Sequence, residues 1–399
     1  MNKKAILIPV LTGWLLSSCA QQVKLNKTFA DAGQQADLML KSIPVAKKTN
    51  PDQELPRTED GEALKLVSSR DWTSGFFPGI LWYLYEYTGE TKWKQEAQTY
   101  TAKIEREKTN ATTHDMGFKI FCSYGNALRL APDEHSKEVI IQSARTLCTR
   151  FNTVAGALKS WDGNKDKWSF PVIIDNMMNL ELLFNATRLT GDSSFYRIAV
   201  THANTTMKNH FRPDNSSYHL VDYDTATGNI IKKITVQGYA NESAWARGQS
   251  WGLYGFTMCY RFTRDPRYLQ QAEKIAAFVL SNPYLPKDMV PYWDHNAPGI
   301  PNEERDASAA AIMASALYEL STVSKNGKDY KKKADKILAS LTDHYRSPLG
   351  SNKGFILLHS TGHKPAKSEI DVPIIYADYY YMEALMRNKR LKSGEPVAQ

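Results

Sequence analysis

Apolar residues recur along this chain at helical spacing, and the helices they predict come in pairs. Leu81–Tyr87 is followed by the polar turn Thr88-Gly89-Glu90 and then by Trp93 and Ala97 of a second helix. The same figure returns at Leu180–Leu189 with Thr190-Gly191-Asp192 and Ala199. It returns again at Tyr254–Phe262 with Thr263-Arg264-Asp265-Pro266 and Ala272, and at Ile312–Leu320 with Lys325-Asn326-Gly327 and Ala334. A weaker copy runs through Cys122–Leu130 and Ser136–Phe151, and Tyr379–Met386 reads as the first helix of a last pair. A lone helical hairpin cannot bury its apolar face, so such units stack on one another.

The spacing between copies is irregular, and the long insertions fall between pairs rather than within them. That is unlike a solenoid. It predicts an all-α fold, a closed ring of six helical hairpins or (α/α)6 barrel, with its active site where the long loops gather at one end. The small-residue stretches Ala307–Ala316 and Gly248–Gly255 suit inner helices, which must approach most closely. Tyr218–Tyr223 and Ile230–Val236 read as a small β-hairpin inserted in one of the loops.

The N-terminus follows another pattern. Lys3 and Lys4 precede an apolar stretch, Ala5 to Leu16, that is too short for a stop-transfer helix. Leu16-Ser17-Ser18-Cys19 then resembles a bacterial lipobox, in which cleavage exposes a cysteine that carries lipid. We therefore divide the chain into a removable signal peptide (1–18), a tether beginning at the lipidated Cys19 (19–30), and one (α/α)6-barrel catalytic domain (31–390). The expected location is the bacterial cell envelope, with the membrane contacted only through the N-terminal lipid. Cys122, Cys148 and Cys259 sit in apolar helical patterns without CxxC spacing, which favours buried thiols over disulfides or structural zinc.

With 42% apolar and 23% charged residues, the 399-residue chain has enough apolar surface for a packed core and is not of the disordered class. The formal charge of +8 drops by two when Lys3 and Lys4 leave. A mildly basic surface suits anionic glycans. No basic cluster interleaved with aromatics is present, so nucleic acid is not expected as a partner.

Candidate chemistry concentrates just before the inner helices. Asp175 ends the extended run Phe170–Ile174 and opens a helix. It is either an N-cap or a carboxyl held at an apolar pocket, where burial and a like charge raise its pKa as a general acid requires. Asp115, in Thr113-His114-Asp115-Met116-Gly117, is either a cap or the second carboxylate of such a pair. In Gln237–Gly252, Arg247 stands between Trp245 and Trp251. The guanidinium is either a fork for a substrate carboxylate or a buried ion-pair partner, and the Trp rings are either sugar platforms or core. Gly248-Gln249-Ser250-Trp251-Gly252 matches a nucleophile elbow in letters only, because its flanks are helical and no parallel sheet surrounds it. Arg70–Gly79, Tyr292-Trp293-Asp294, Asp306–Ala309 and Asp371–Tyr380 place further polar and aromatic residues at inner-helix starts. Lys353, Lys364, Lys367 and Ser360 read as a solvated loop in preference to a sulfate or second-sugar site.

Taken in order, DWTSGFFPG, HDMGF, IIDNMMNLELL, ESAWARGQSWGLYG, YWDHNAP with RDASAAAI, and DVPIIYADYYYMEAL resemble the unsaturated glucuronyl hydrolases of glycoside hydrolase family 88, from about Ala30 to Arg387. The resemblance implies an (α/α)6 barrel, Asp175 as general acid/base and Asp115 as its partner. It implies sugar contacts at Trp72, Trp161, Gln237, Trp245, Arg247, Trp251 and Tyr376. It implies no metal and no cofactor, and an unsaturated uronic-acid oligosaccharide as substrate. One departure is Val236, where the family often has His before the Gln of QGYA. An unsaturated rhamnogalacturonyl hydrolase and a non-catalytic glycan-binding lipoprotein are the alternatives.

Overall fold

The structure, a computed structural model, describes residues 23–48 and 51–398. The signal peptide and Cys19 lie outside the described residues. Among the described residues, twelve long helices alternate between an inner and an outer ring. The inner ones are α2 (Phe76–Thr88), α4 (Gly117–Gly125, wound as a π-helix and continuing over Asn126–Leu130), α6 (Asn176–Thr190), α8 (Ala246–Thr263), α10 (Ala307–Leu320) and α12 (Ile375–Ser393). Each packs on the next, and α12 returns to α2, so the ring is closed. The first five inner helices are followed by α3 (Thr91–Ala102), α5 (Glu134–Cys148), α7 (Ser193–Asn209), α9 (Pro266–Leu280) and α11 (Gly327–His344), which form the outer layer. These are the predicted hairpins, including the weak second copy.

The sixth outer place is filled from the other end of the chain. Among the described residues no helix follows α12. Instead α1 (Leu25–Ala46) lies between α3, through the Lys92–Asp37 pair and the Gly33–Trp93 contact, and the segment after α11, through Arg346–Asp31 at 2.8 Å. Because α1 starts at Leu25, the 19–30 tether is too long as predicted: Phe29 is buried, stacked on Tyr87 at 3.7 Å, and this burial draws residues 25–30 into the barrel.

Inner helices are buried on nearly every side because they face both the outer ring and one another. All fourteen positions of α10 are buried. Small residues set the spacing: a Cβ on Gly255 of α8 would lie 2.5 Å from Met177 Cβ of α6. At the C-terminal ends of the inner helices the core turns ionic. Arg261 binds Glu181 and Glu319, each at 2.8 Å, and Arg387 binds Glu319 at 3.1 Å. Glu383 accepts from Tyr83 and Tyr254. Replacing Glu319 by Ala takes a carboxylate from the buried Arg387 and the partly buried Arg261, and we expect it to cost about 3–5 kcal/mol. Urea unfolding of the soluble chain measures this, and a loss under about 1 kcal/mol would show the network to be dispensable.

The predicted β-hairpin is present and larger than expected. Strands Leu220–Tyr223 and Ile230–Ile234 are antiparallel, and Pro171–Ile173 adds a third strand on the first. This sheet carries the chain directly to Asp175. A second hairpin, Leu55–Asp60 with Ala63–Val67, precedes α2, and a two-residue pair, Phe151–Asn152 with Ala157–Leu158, follows α5.

Candidate active site

The segments before α2, α4, α6, α8, α10 and α12 converge at one end of the barrel, and Asp175 lies among them. Its residue is 8% exposed. The carboxylate makes no cap bond to α6, which excludes the capping role, and Oδ2 is buried without a partner. Burial pushes its pKa up to about 7, and the negative charge of Asp115 adds to the rise. Arg247 opposes it, and so, weakly, does the Trp251 indole, whose Nε1 is close by without completing a hydrogen bond. An elevated pKa alone does not mark a catalyst. Asp378 is raised to about 8, yet both its oxygens accept backbone N–H groups, from Ile356 and Leu357. Asp306 does cap its helix, accepting from the N–H groups of Ser308 and Ala309.

Asp115 precedes α4 and likewise caps nothing. Oδ2 accepts from Thr113 Oγ1 at 2.9 Å, and Oδ1 lies 3.3 Å from His114 Nε2. Its side chain is slightly exposed and lies close enough to Asp175 for the two to interact electrostatically.

A cleft of about 190 Å³ adjoins this pair and is lined by Trp72, Trp161, Gln237, Arg247 and Tyr376, five of the seven expected binding residues. Trp72 packs on Tyr376 at 4.9 Å, and Trp161 on Trp168 at 5.5 Å. Trp245 and Trp251 are not open platforms. Both are buried; Trp251 wedges between Phe118 and Tyr380 beneath the site, and Trp245 backs Arg247 and His219. Arg247 answers to both of its readings. It pairs with Asp306 at 2.9 Å and donates to the carbonyls of Thr361 and Gly362, while its Nε has no partner. Most of its donors are thus spent on the protein. Val236 stands at the wall of the same cleft, and its carbonyl accepts from His363 Nε2 at 2.9 Å, so an imidazole borders this position from another loop.

Sequence reading missed His219. It lies one residue before the strand Leu220–Tyr223, its Nδ1 accepts the Val236 N–H at 3.0 Å, and burial holds its pKa well below 6.5. The neutral ring therefore carries its proton on Nε2. That atom is unpartnered and 3.8 Å from Asp175 Oδ2. Nothing in the local sequence pointed to it, because only the strand pairing brings it to Asp175. Asp175 Oδ2, His219 Nε2, Trp251 Nε1, Arg247 Nε and Tyr376 OH form a cluster of buried polar atoms without partners, an arrangement expected of a ligand site and costly elsewhere.

A larger hollow of about 410 Å³ opens at the opposite end, among the ionic residues of the inner-helix C-termini. Its acids and arginines largely neutralise one another; it reaches inward as far as Phe118 and Tyr380 but is lined by none of the five unpartnered polar groups. Among the described residues no three His, Cys, Asp or Glu side chains converge as metal ligands do, and no helix is long and apolar enough to cross a membrane. Cys122, Cys148 and Cys259 are free thiols.

Comparison with known proteins agrees with this geometry. The chain is 52% identical over 332 residues to an unsaturated glucuronyl hydrolase of Formosa agariphila, covering 83% of each chain. It is 32% identical to an unsaturated chondroitin disaccharide hydrolase of Streptococcus pyogenes, over 90% of this chain and 91% of the relative. Its fold superposes with a TM-score of 0.88 on an unsaturated glucuronyl hydrolase specific for heparin, at 44% identity, covering 93% of this chain and 98% of the other. A mutant of the Streptococcus agalactiae enzyme, solved in complex with dGlcA-GalNAc6S, matches at 27% identity and TM-score 0.75, over 96% and 97% of the two chains. The model of Glycosyl Hydrolase Family 88 matches residues 45–395, and with the barrel and the paired aspartates already in view, the chain belongs to that family of glycoside hydrolases.

Proposed function

We propose that this glycoside hydrolase removes the 4,5-unsaturated glucuronyl residue that a polysaccharide lyase leaves at the non-reducing end of glycosaminoglycan fragments. The observation that carries the reading is Asp175: a buried carboxyl with a pKa of about 7, an unpartnered oxygen, and a second aspartate beside it. A group poised near neutrality can both give and take a proton. In its acid form Asp175 protonates C4 of the C4=C5 vinyl ether, and positive charge develops at C5 and the ring oxygen. As a carboxylate it then takes a proton from the water that adds to C5. The hemiketal so formed opens, and C1 releases the aglycone. Asp115 and the Tyr376 and Trp walls face the developing cation. His219 Nε2–H is placed to donate to the Asp175 carboxylate once the proton has left. The donor left free on Arg247 is available to the uronate.

The lead experiment follows the ultraviolet absorbance of the conjugated enoate in unsaturated chondroitin, heparin and hyaluronan disaccharides and in an unsaturated rhamnogalacturonan disaccharide. Loss of absorbance on a glycosaminoglycan product is the expected result. Loss on the pectin product alone would reassign the substrate.

The N-terminal sequence supports export and attachment of lipid at Cys19, which would hold the barrel at the cell envelope on a short tether. Replacing Cys19 by Ser should move the protein from the membrane fraction to the soluble one on cell fractionation.

A further inference from the structure

A lipid on Cys19 would act at one particular end of the barrel. Residue 23 is the first described, four residues after Cys19, and four residues reach at most about 14 Å. Asn26, near the start of α1, bonds Tyr87, the penultimate residue of α2. That is the end of the barrel at which the inner helices finish. From there the 22 residues of α1 climb about 33 Å. They deliver the chain to Glu54, paired with Lys103 at 2.9 Å just beyond α3, and then to Arg57 on the cleft wall. The N-terminus therefore leaves the barrel at the end opposite Asp175.

The same end is basic. Lys24 precedes α1, and α12 finishes there with Lys392. Outer helices begin where inner ones finish, so Lys325 and the first turns of α11, with Lys328 and Lys332, lie there too. Lys331 and Lys389 are spent on Asp335 at 2.6 Å and Glu395 at 3.6 Å. The other five lysines are exposed and enter no ion pair among the described residues. Lys392 is near enough to Lys331 and Asp335 to sense both charges. Contacts run across this face from α11 to α1: Asn388 donates to Asp335 at 3.0 Å, Arg390 binds Glu86, and the neighbouring Tyr87 binds Asn26.

Resting on the Cys19 reading, we propose that this basal end is a docking face for anionic phospholipid headgroups, which holds the barrel on the membrane with its cleft turned away, toward incoming oligosaccharides. Each lysine close to such a surface adds to the attraction, and the attraction dies out within about 10 Å at ordinary salt. The short tether holds the basal lysines near the headgroups. The length of α1 keeps the cleft clear of them.

The test uses the mature lipidated protein on vesicles of phosphatidylcholine, with and without roughly a third phosphatidylglycerol. Lysine acetylation is read residue by residue by mass spectrometry. It should slow roughly fivefold or more at Lys325, Lys328, Lys332 and Lys392 on the anionic vesicles. High salt should reverse the protection. Lys165 and Lys167, in the exposed loop after the cleft-lining Trp161, should react equally on both. In K328E/K332E/K392E, Lys325 should lose its protection. Equal labelling of the basal lysines on the two kinds of vesicle overturns the docking face. Protection of Lys165 and Lys167 in their place overturns the orientation. Protection by chondroitin sulfate chains but not by anionic vesicles gives the face to a glycan and overturns the proposal. A chain that does not float with neutral vesicles carries no working anchor, and that result overturns the Cys19 reading and the tethered orientation with it.

Discussion

Replacing Asp175 by Asn should lower kcat by roughly 10³-fold or more while leaving substrate binding within a few-fold. Asn keeps the shape but has no proton to give to C4 and cannot take one from water. Since Asp175 has no structural bond to lose, the effect belongs to chemistry. The native pH profile should agree. The acid form is needed for the first step, so kcat/KM should fall as pH rises through about 7. Stability provides an independent readout. The folded-state pKa is raised above the ordinary 3.8, so the folded protein binds the proton more tightly than the unfolded chain does. Its contribution is complete below that ordinary value and is lost as pH climbs through about 7. Asp175→Asn should therefore melt above the native protein at pH 8, and the advantage should shrink toward pH 4. A variant that retains activity, or melts lower at pH 8, would remove Asp175 from the role assigned to it.

Arg247→Ala should be the second most damaging change, with kcat/KM reduced by roughly 10²-fold or more and a clear fall in melting temperature. The side chain is 1% exposed, and its removal leaves the buried Asp306 without a counter-charge. It also frees the carbonyls of Thr361 and Gly362, and so the wall of the cleft. Arg247→Lys should rescue little, because an ammonium on a flexible stem cannot reproduce a planar fork over Trp245 and Tyr376. Full rescue by Lys would mean that charge alone is required there. Measuring kcat/KM beside thermal unfolding separates the two losses: a purely structural role predicts normal turnover per folded molecule.

The hairpins were legible in the sequence because each depends on local signals. Apolar spacing, a turn with Gly, Asp or Pro, and small residues for close packing all lie within about forty residues of one another. So were the residues before the inner helices, since polar and aromatic side chains at a helix entrance stand out from an apolar repeat. The motifs of family 88 gathered most of the cleft, Trp72, Trp161, Gln237, Arg247 and Tyr376, before any fold was known.

What depended on long-range packing could not be read. Asp175 and Asp306 both precede an inner helix, and only the fold makes one a cap and leaves the other buried and unpartnered. His219 reaches Asp175 through strand pairing between residues far apart in the chain. Helix α1 completes the ring from the N-terminus, a closure that no local pattern encodes. Whether Arg247 and Lys364 are free or spent was settled by Asp306, Glu303 and Glu304, about sixty residues distant. Local free energies choose the elements and so appear in the sequence directly. Burial, pKa and the pairing of charges arise from neighbours that only the closed barrel brings together.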